Sequence, residues 1–188
     1  MIFNEHSRLS GSHAFLSGSK YHWINYDSDR LIESYSNFKA VAKGVILHDF
    51  AKRCIDLKQR LPKSHKTLNA YVNDAIGFRM TPEQVLYYSD YCFGTADSIS
   101  FDNHVLRIHD LKTGRVPGHI EQLEIYAAIF CLEYKIKPKD IRIILRIYQS
   151  NTVNEYIPTS EEIDEIIEKI ISFNKILTRL DRDDMPAI

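Results

Sequence analysis

The sequence predicts an α/β domain with a central mixed β-sheet flanked by helices. Some segments repeat apolar residues about every 3.6 positions, as helices with one buried face do. Others are rich in valine, isoleucine and tyrosine and are bounded by turn residues, which is typical of strands. The segments follow the order helix, three strands, helix, strand, helix. Because 188 residues with 44% hydrophobic and 26% charged residues suit one compact unit, we expect a single domain over residues 1–188.

The first helix is predicted from about Ser28 to Leu61, where Pro62 ends it. The apolar residues that repeat along it are Leu31, Tyr35, Phe38, Val41, Val45 and Phe50. The segment MTPEQVLYYSDYCFG, residues 80–94, is rich in valine and tyrosine and predicts one strand closed by Gly94.

Residues 95–101 and 104–112 predict the second and third strands. Asp102 and Asn103 lie between them and tolerate the positive φ that a tight hairpin turn needs. Residues 95–112 are therefore expected to form one β-hairpin.

The next elements are a helix over residues 119–135 and a strand over residues 140–150. One stripe of this helix is formed by Ile120, Leu123, Ala127, Phe130 and Tyr134. The strand alternates apolar and polar residues, and the short segment 152–157 is suited to pair with it. A final helix covers residues 159–180, with Thr159 or Ser160 as its N-cap and acids in its first turn.

Composition excludes several classes of protein. No window approaches the roughly 18 to 20 uncharged apolar residues of a membrane span, and the N-terminal segment is too polar for a signal peptide, so we expect a cytoplasmic protein. The three cysteines, Cys54, Cys92 and Cys131, share no CxxC spacing and are expected to be buried thiols rather than disulfide, zinc or cluster ligands.

The hairpin places two acids and a lysine together. If Asp102 and Asn103 are the turn residues, Asp97 faces Ile108, and Asp97, Asp110 and Lys112 emerge on the core-facing side of the sheet. The two aspartates are then diagonal neighbours at roughly 7 Å, close enough to share an ion. Such charges are costly when buried without partners, so we expect the sheet to open into a cleft there.

This trio has the composition of a magnesium site. Mg²⁺ takes oxygen ligands, which Asp97, Asp110 and the backbone carbonyl of Leu111 can supply. A bound metal lowers the pKa of its water and neutralises charge on phosphate, and Lys112 is a cation suited to assist. The tripeptide Asp-x-Lys is common by chance, so the surrounding residues decide between this interpretation and an ordinary surface pair.

The surrounding pattern resembles the PD-(D/E)xK nuclease superfamily, in its RecB-like and phage exonuclease branch. The matching residues are Asp97, Asp110, Lys112, Thr113, Gly114, Gln122 and Tyr126, preceded by Gly44 and His48 in the segment GVILHDF. The resemblance covers about residues 40 to 130 and implies a restriction-endonuclease-like core (αβββαβ). Alanine stands before Asp97 in place of the family's proline, and the four cysteines that bind an iron–sulfur cluster in some members are absent, so no such cluster is expected.

The resemblance implies a divalent-metal-dependent DNA nuclease, most simply an exonuclease acting in recombination, repair or replication, with one or two Mg²⁺ or Mn²⁺ ions. Asp97, Asp110 and His48 would hold metal, an imidazole suiting Mn²⁺ better than Mg²⁺. Lys112 would assist the attacking water. Gln122 and Tyr126 lie four apart on one helix face and would shape the site.

DNA with a free end or a single strand is the expected partner, although a net charge of −1 gives no global basic signal. The local candidates for contacting DNA are Lys52, Arg53, Lys58, Arg60, Lys63, Lys66, Thr113 and Arg115. The chain has no nucleotide-binding GxxxxGK[ST] loop, so unwinding would fall to a helicase, recombinase or single-strand-binding partner. Two alternatives remain: a non-catalytic nucleic-acid-binding module on the same fold, and a structure-specific or sequence-specific endonuclease.

Overall fold

The computed structural model describes residues 7–9, 14–114 and 116–183. The chain divides into two compact units, one up to Val45 and one from Ile46 onward. The first unit contains two short 3₁₀ segments, Ser7–Leu9 and Gly18–Asn25. Within the described residues, no helix combines the length and apolar character needed to span a membrane.

The long helix α1, Ser28–Asp56, begins in the first unit and ends in the second. In the first unit, Phe15 packs against Tyr35 and Phe38, with ring centroids 5.1 and 5.4 Å apart. The six apolar residues that predicted this helix are all exposed, and its buried residues are Ala51, Cys54 and Ile55 at its C-terminal end. The 3.6-residue repeat of apolar residues therefore predicted that this helix forms, but not which of its faces is buried.

The second unit contains the sheet and the remaining helices. In chain order these elements are α2 (Thr67–Gly77), β1 (Thr81–Ser89), β2 (Cys92–Asp102), β3 (Val105–Leu111), α3 (Ile120–Tyr134), β4 (Arg142–Gln149), β5 (Thr152–Tyr156) and α4 (Ser160–Asp183). The strands form one sheet in the order β1-β2-β3-β4-β5. Among these five strands β3 and β4 pair in parallel and the other neighbours are antiparallel, so the predicted α/β domain with a mixed sheet is confirmed.

The β2–β3 hairpin differs from the prediction by one residue. Asp102 pairs with Val105, so the turn residues are Asn103 and His104, with φ of 49° and 58°, in place of Asp102 and Asn103. The register moves with the turn: Ser98 and His109 form the last pair of the two strands, and Asp97 and Asp110 are the next residues along each strand. Because moving a two-residue turn by one position changes each pairing by two residues, this shift alone does not exchange the two faces of a strand.

The first predicted strand is also corrected. Residues 80–94 do not form one strand closed by Gly94, because the chain turns at Asp90 and Tyr91 and β2 begins at Cys92. Gly94 therefore lies inside β2, opposite Leu86 of β1. The turn was missed because tyrosine is not a typical turn residue.

The end of α1 lies at Asp56, not at Leu61. Lys58 takes a left-handed φ of 54°, and the Gln59 and Lys58 amides donate to the carbonyls of Cys54 and Ile55. These two bonds form a Schellman motif, which ends the helix before the chain reaches Pro62. The helix α2, which the sequence did not predict, ends in the same way at Arg79.

Two apolar cores cover the two faces of the sheet. Helices α3 and α4 bury one face, with Leu106, Ile108, Leu123 and Leu145 fully buried. The other core joins α2 and the end of α1 to Met80, Leu111 and Tyr148. Helix α3 lies between β3 and β4 in the chain and provides the crossover that their parallel pairing requires.

Candidate metal centre

Asp97 lies in β2 where three elements of the second unit meet. Its Oδ2 accepts a hydrogen bond of 2.8 Å from the Leu111 amide at the end of β3. The same oxygen is 3.5 Å from Nδ1 of His48 on α1. The structure thus brings together His48 and Asp97, which the sequence predicted from two distant segments.

Glu83, which was not predicted from the sequence, completes this group. One ligand atom each of His48, Glu83 and Asp97 lies within 4.8 Å of the others, so the three could hold a metal ion. Pro82 and Gln84 pair with Ser98 and Ala96, which places Glu83 across from Asp97. The turn at Asp90 and Tyr91 alone would set Gln84 opposite Asp97, because Ser89 pairs with Cys92. A register shift between Tyr87 and Ser89 moves the pairing by one residue, to Glu83.

Glu83 also has an unusual backbone. Its φ is 50°, in the left-handed region that a glutamate within a strand rarely adopts. Such positions persist only where the surrounding structure holds them, and they concentrate at functional sites. The deviation therefore supports a role for this carboxylate beyond strand pairing.

Asp110 and Lys112 lie beside this group without joining it. Asp110 is 3% exposed, and its Oδ1 accepts a bond of 3.1 Å from Nζ of Lys112. Its Oδ2 is buried and has no hydrogen-bond partner among the described residues. Buried carboxylate oxygens are normally paired, so this atom lacks a partner that a cation or water would supply.

Lys112 continues into a chain of side chains on α3. Its Nζ donates to Oε1 of Gln122 over 2.9 Å, and Nε2 of Gln122 donates to the Tyr126 hydroxyl over 3.1 Å. The ammonium is thereby fixed between Asp110 and the amide of Gln122. The structure brings together all five residues that the sequence predicted as catalytic.

Two glycines make room for this chain of side chains. A Cβ on Gly94 would lie 2.8 Å from Cε1 of Tyr126, so the tyrosine ring packs directly on the β2 backbone. A Cβ on Gly118 would lie 3.0 Å from Cγ of Lys112. Close packing against backbone restricts both side chains to a narrow range of positions.

Gln149 anchors the loop between β3 and α3. Its Nε2 donates to the carbonyls of Gly114 and Val116, and its Oε1 accepts from the Gly118 amide. One buried amide at the end of β4 thus holds three backbone groups of the segment that joins Lys112 to α3.

The electrostatics favour a bound cation. Burial and the neighbouring Asp110 charge raise the pKa of Asp97 to about 6, while the Leu111 amide and His48 act in the opposite direction. Three carboxylates, those of Glu83, Asp97 and Asp110, share this region. Carboxylate oxygens with one imidazole form a donor set that suits a hard or borderline divalent ion.

The other predicted residues lie outside this group. The six basic residues between 52 and 66 are exposed, and Arg60 donates to the carbonyl of Asn73. Thr113 is exposed, while Arg115 lies outside the described residues. The Leu111 carbonyl remains a predicted ligand.

Two further histidines lie apart from this group, and the prediction of buried thiols holds for two of the three cysteines. His109 is buried on the opposite face from Asp110, against Tyr148 and Phe78. His119 is exposed near Glu121. Cys54 and Cys131 are buried free thiols, and Cys92 is half-buried.

Comparison with known proteins gave no match: no family model, curated protein or solved structure matches the chain.

Proposed function

We propose that the chain is a divalent-metal-dependent DNA nuclease with a restriction-endonuclease-like core, most simply an exonuclease of the PD-(D/E)xK type. The observation that carries the proposal is the partnerless Oδ2 of Asp110, buried beside the group of His48, Glu83 and Asp97. The resemblance in sequence supports the same assignment, because the acid pair, the lysine, the glutamine and the tyrosine occur in the family's order.

Mg²⁺ or Mn²⁺ is the ion that suits this donor set. His48, Glu83 and Asp97 would hold it, and the free oxygen of Asp110 would face it or a second ion. When bound, the ion lowers the pKa of a water molecule and neutralises negative charge on a phosphate.

The residues of the chain have separate tasks in this proposal. Lys112 carries a positive charge next to the position of the reacting phosphate and stabilises the charge that develops there. Gln122 holds the lysine ammonium in place, and Tyr126 fixes the orientation of Gln122. The loop anchored by Gln149 fixes the backbone that follows the lysine.

DNA is the proposed substrate, entering by a free end or as a single strand, with cleavage serving recombination, repair or replication. The exposed basic residues between Lys52 and Lys66 begin on the same helix as His48 and would contact the phosphate backbone. This contribution would weaken as salt concentration rises.

The first test measures Mg²⁺- or Mn²⁺-dependent loss of end-labelled DNA. We expect Asp110→Asn and Lys112→Met to lower the rate at least ~100-fold, since a positioned charge or proton-transfer group contributes about that much. Asp140→Asn and Lys139→Met, at an exposed turn away from the site, are matched controls that should retain the wild-type rate. Equal digestion by all five proteins would refute the assignment.

A second test measures metal binding. Calorimetric titration with Mn²⁺ should give an affinity for the ion that falls at least ~10-fold in Glu83→Gln, since one of the three ligands loses its charge. Glu121→Gln, exposed at the start of α3, serves as the control. A protein that binds DNA equally with and without divalent metal, and never shortens it, would be the non-catalytic module instead.

A further inference from the structure

The apolar stripe of α4 is covered along its first half and uncovered along its second. Ile163, Ile166, Ile167 and Ile170 pack against the core of the second unit. The stripe continues with Phe173, Ile176, Leu177 and Leu180, which are 61%, 43%, 40% and 48% exposed. Their spacing, i, i+3, i+4 and i+7, is that of a helix face that packs against another element. Four large apolar side chains in one row are more than the scattered exposure normal for a surface.

A groove between α3 and α4 adjoins this exposed row. It has a volume of about 490 Å³, and Ile125, Ile166, Ile170 and Phe173 form its apolar lining. Phe173 belongs to both the groove and the exposed row, so the two make one continuous apolar surface. The groove is rimmed by four glutamates, Glu121, Glu124, Glu162 and Glu165.

The glutamate rim carries an excess of negative charge. Glu124 is 9% exposed, and burial with the charges of Glu162 and Glu121 raises the pKa of its carboxyl. Among the described residues that line the groove, Lys169 is the one cation beside these four acids. An occupant that brings positive charge together with apolar side chains therefore complements this surface.

The C-terminal part of α4 itself has that chemistry. Lys175, Arg179 and Arg182 flank the apolar row, while Asp181 is engaged by the Tyr91 hydroxyl. The N-terminal part of the same helix carries five acids, which are Glu161, Glu162, Asp164, Glu165 and Glu168. The N-terminal part of the helix is thus strongly acidic, the C-terminal part has three cations beside Asp181 and Asp183, and the apolar stripe runs along both parts.

We propose that the uncovered half of the α4 stripe binds a second copy of the chain, with the two α4 helices antiparallel. In this arrangement the two Phe173 side chains meet at a twofold axis, and Leu177 and Leu180 of each copy enter the groove of the other. Arg179 and Arg182 then lie over the glutamate rim. A twofold interface uses the same surface on both copies, so the same apolar and charged contacts form at both ends of the helix pair.

Sedimentation equilibrium over a concentration series tests the association. The 188-residue chain should be a dimer, and Leu177→Glu or Leu180→Glu should raise the dissociation constant at least ~30-fold, the effect of losing a central apolar contact. Phe93→Glu is the matched control, because Phe93 is 62% exposed on β2 and lies outside the surface. A wild-type chain that stays monomeric at every concentration, or a Phe93 variant that dissociates as readily, would overturn the proposal.

Charge reversal tests the choice of partner. Arg179→Glu with Arg182→Glu should weaken the dimer, and adding Glu121→Arg with Glu165→Arg in the same chain should restore it. Failure of the second pair to restore association would overturn the antiparallel contact between these groups.

Cross-linking tests the orientation. Antiparallel helices centred on Phe173 place residue 169 of one copy beside residue 177 of the other. A mixture of Lys169→Cys and Leu177→Cys chains should therefore form a mixed disulfide under mild oxidation, while neither variant alone should cross-link efficiently. The wild-type chain, with its own three cysteines, gives the background. Cross-links within each single variant, in preference to the mixed species, would contradict the antiparallel arrangement.

Discussion

Gly94 determines where Tyr126 can lie. With a Cβ at this position only 2.8 Å from the tyrosine ring, the ring must move, and it then loses its place beside Gln122. We expect Gly94→Ala to destabilise the fold by about 1–3 kcal/mol, the usual cost of an added methyl group in a packed site. Urea unfolding monitored by circular dichroism measures this loss.

A double-mutant cycle separates this clash from a general effect on β2. In a Tyr126→Ala background the methyl group added at position 94 has space, so Gly94→Ala should cost much less than in the wild type. Gly114→Ala is the control, because no atom of the described residues lies within 4 Å of the Cβ that it would add. If Gly94→Ala lowers the free energy of unfolding equally with and without the tyrosine ring, the contact between position 94 and Tyr126 does not cause the loss.

Most residues of the candidate site could be predicted from the sequence. Asp97, Asp110 and Lys112 were found because a hairpin pairs them, and His48 because its helix matched a family pattern. Glu83 was missed for a physical reason: its position depends on a tertiary pairing between β1 and β2 and on a left-handed backbone, neither of which a local pattern signals.

Among the elements, the sequence did not predict where α1 ends or that α2 forms. Helices α1, α2 and α3 are each followed by a lysine or arginine with positive φ, Lys58, Arg79 or Lys135, where glycine is the usual signal. The strands were easier to predict because their apolar side chains repeat toward two covered faces. The turn of β2–β3 was placed one residue early because Asp, Asn and His all tolerate left-handed conformations.

The left-handed helix end at Lys135 can be tested. Its φ of 56° is unfavourable for a residue with a side chain, so Lys135→Gly should raise the free energy of unfolding by about 0.5–1 kcal/mol after the flexibility of glycine is deducted. Lys137→Gly is the control, since Lys137 has a φ of −82° and should lose stability. Thermal unfolding of the two variants beside the wild type gives the comparison, and a destabilised Lys135 variant would contradict the explanation.

For the molecule as a whole, a partly buried polar network lies on the side of β3 opposite to the Asp110 side chain. On the face away from Asp110, the Tyr148 hydroxyl lies 3.2 Å from Nδ1 of His109 and donates to Asp74 over 2.7 Å. Arg146 donates to the same carboxylate over 3.2 Å. This network joins α2 to β3 and β4, and so it stabilises β3, the strand that carries Asp110.

His109 makes the stability of this core depend on pH. Burial, with the charges of Arg146 and Arg107, lowers the pKa of His109 from 6.5 to about 3. Between these values the unfolded chain binds a proton that the folded chain does not, so stability is lost as the pH falls. From pH 7 to pH 5 this contribution falls by about 2 kcal/mol, at about 1.4 kcal/mol for each pKa unit.

Urea unfolding at pH 7 and pH 5 measures this dependence. Because glutamine has no titratable group, His109→Gln should lose about 2 kcal/mol less than the wild type between the two pH values, whatever its stability at pH 7. His119→Gln, at an exposed position, should keep the wild-type difference. If the His109 variant and the wild type lose the same free energy, protonation of this imidazole does not drive the acid sensitivity, and carboxylates elsewhere in the fold must be responsible.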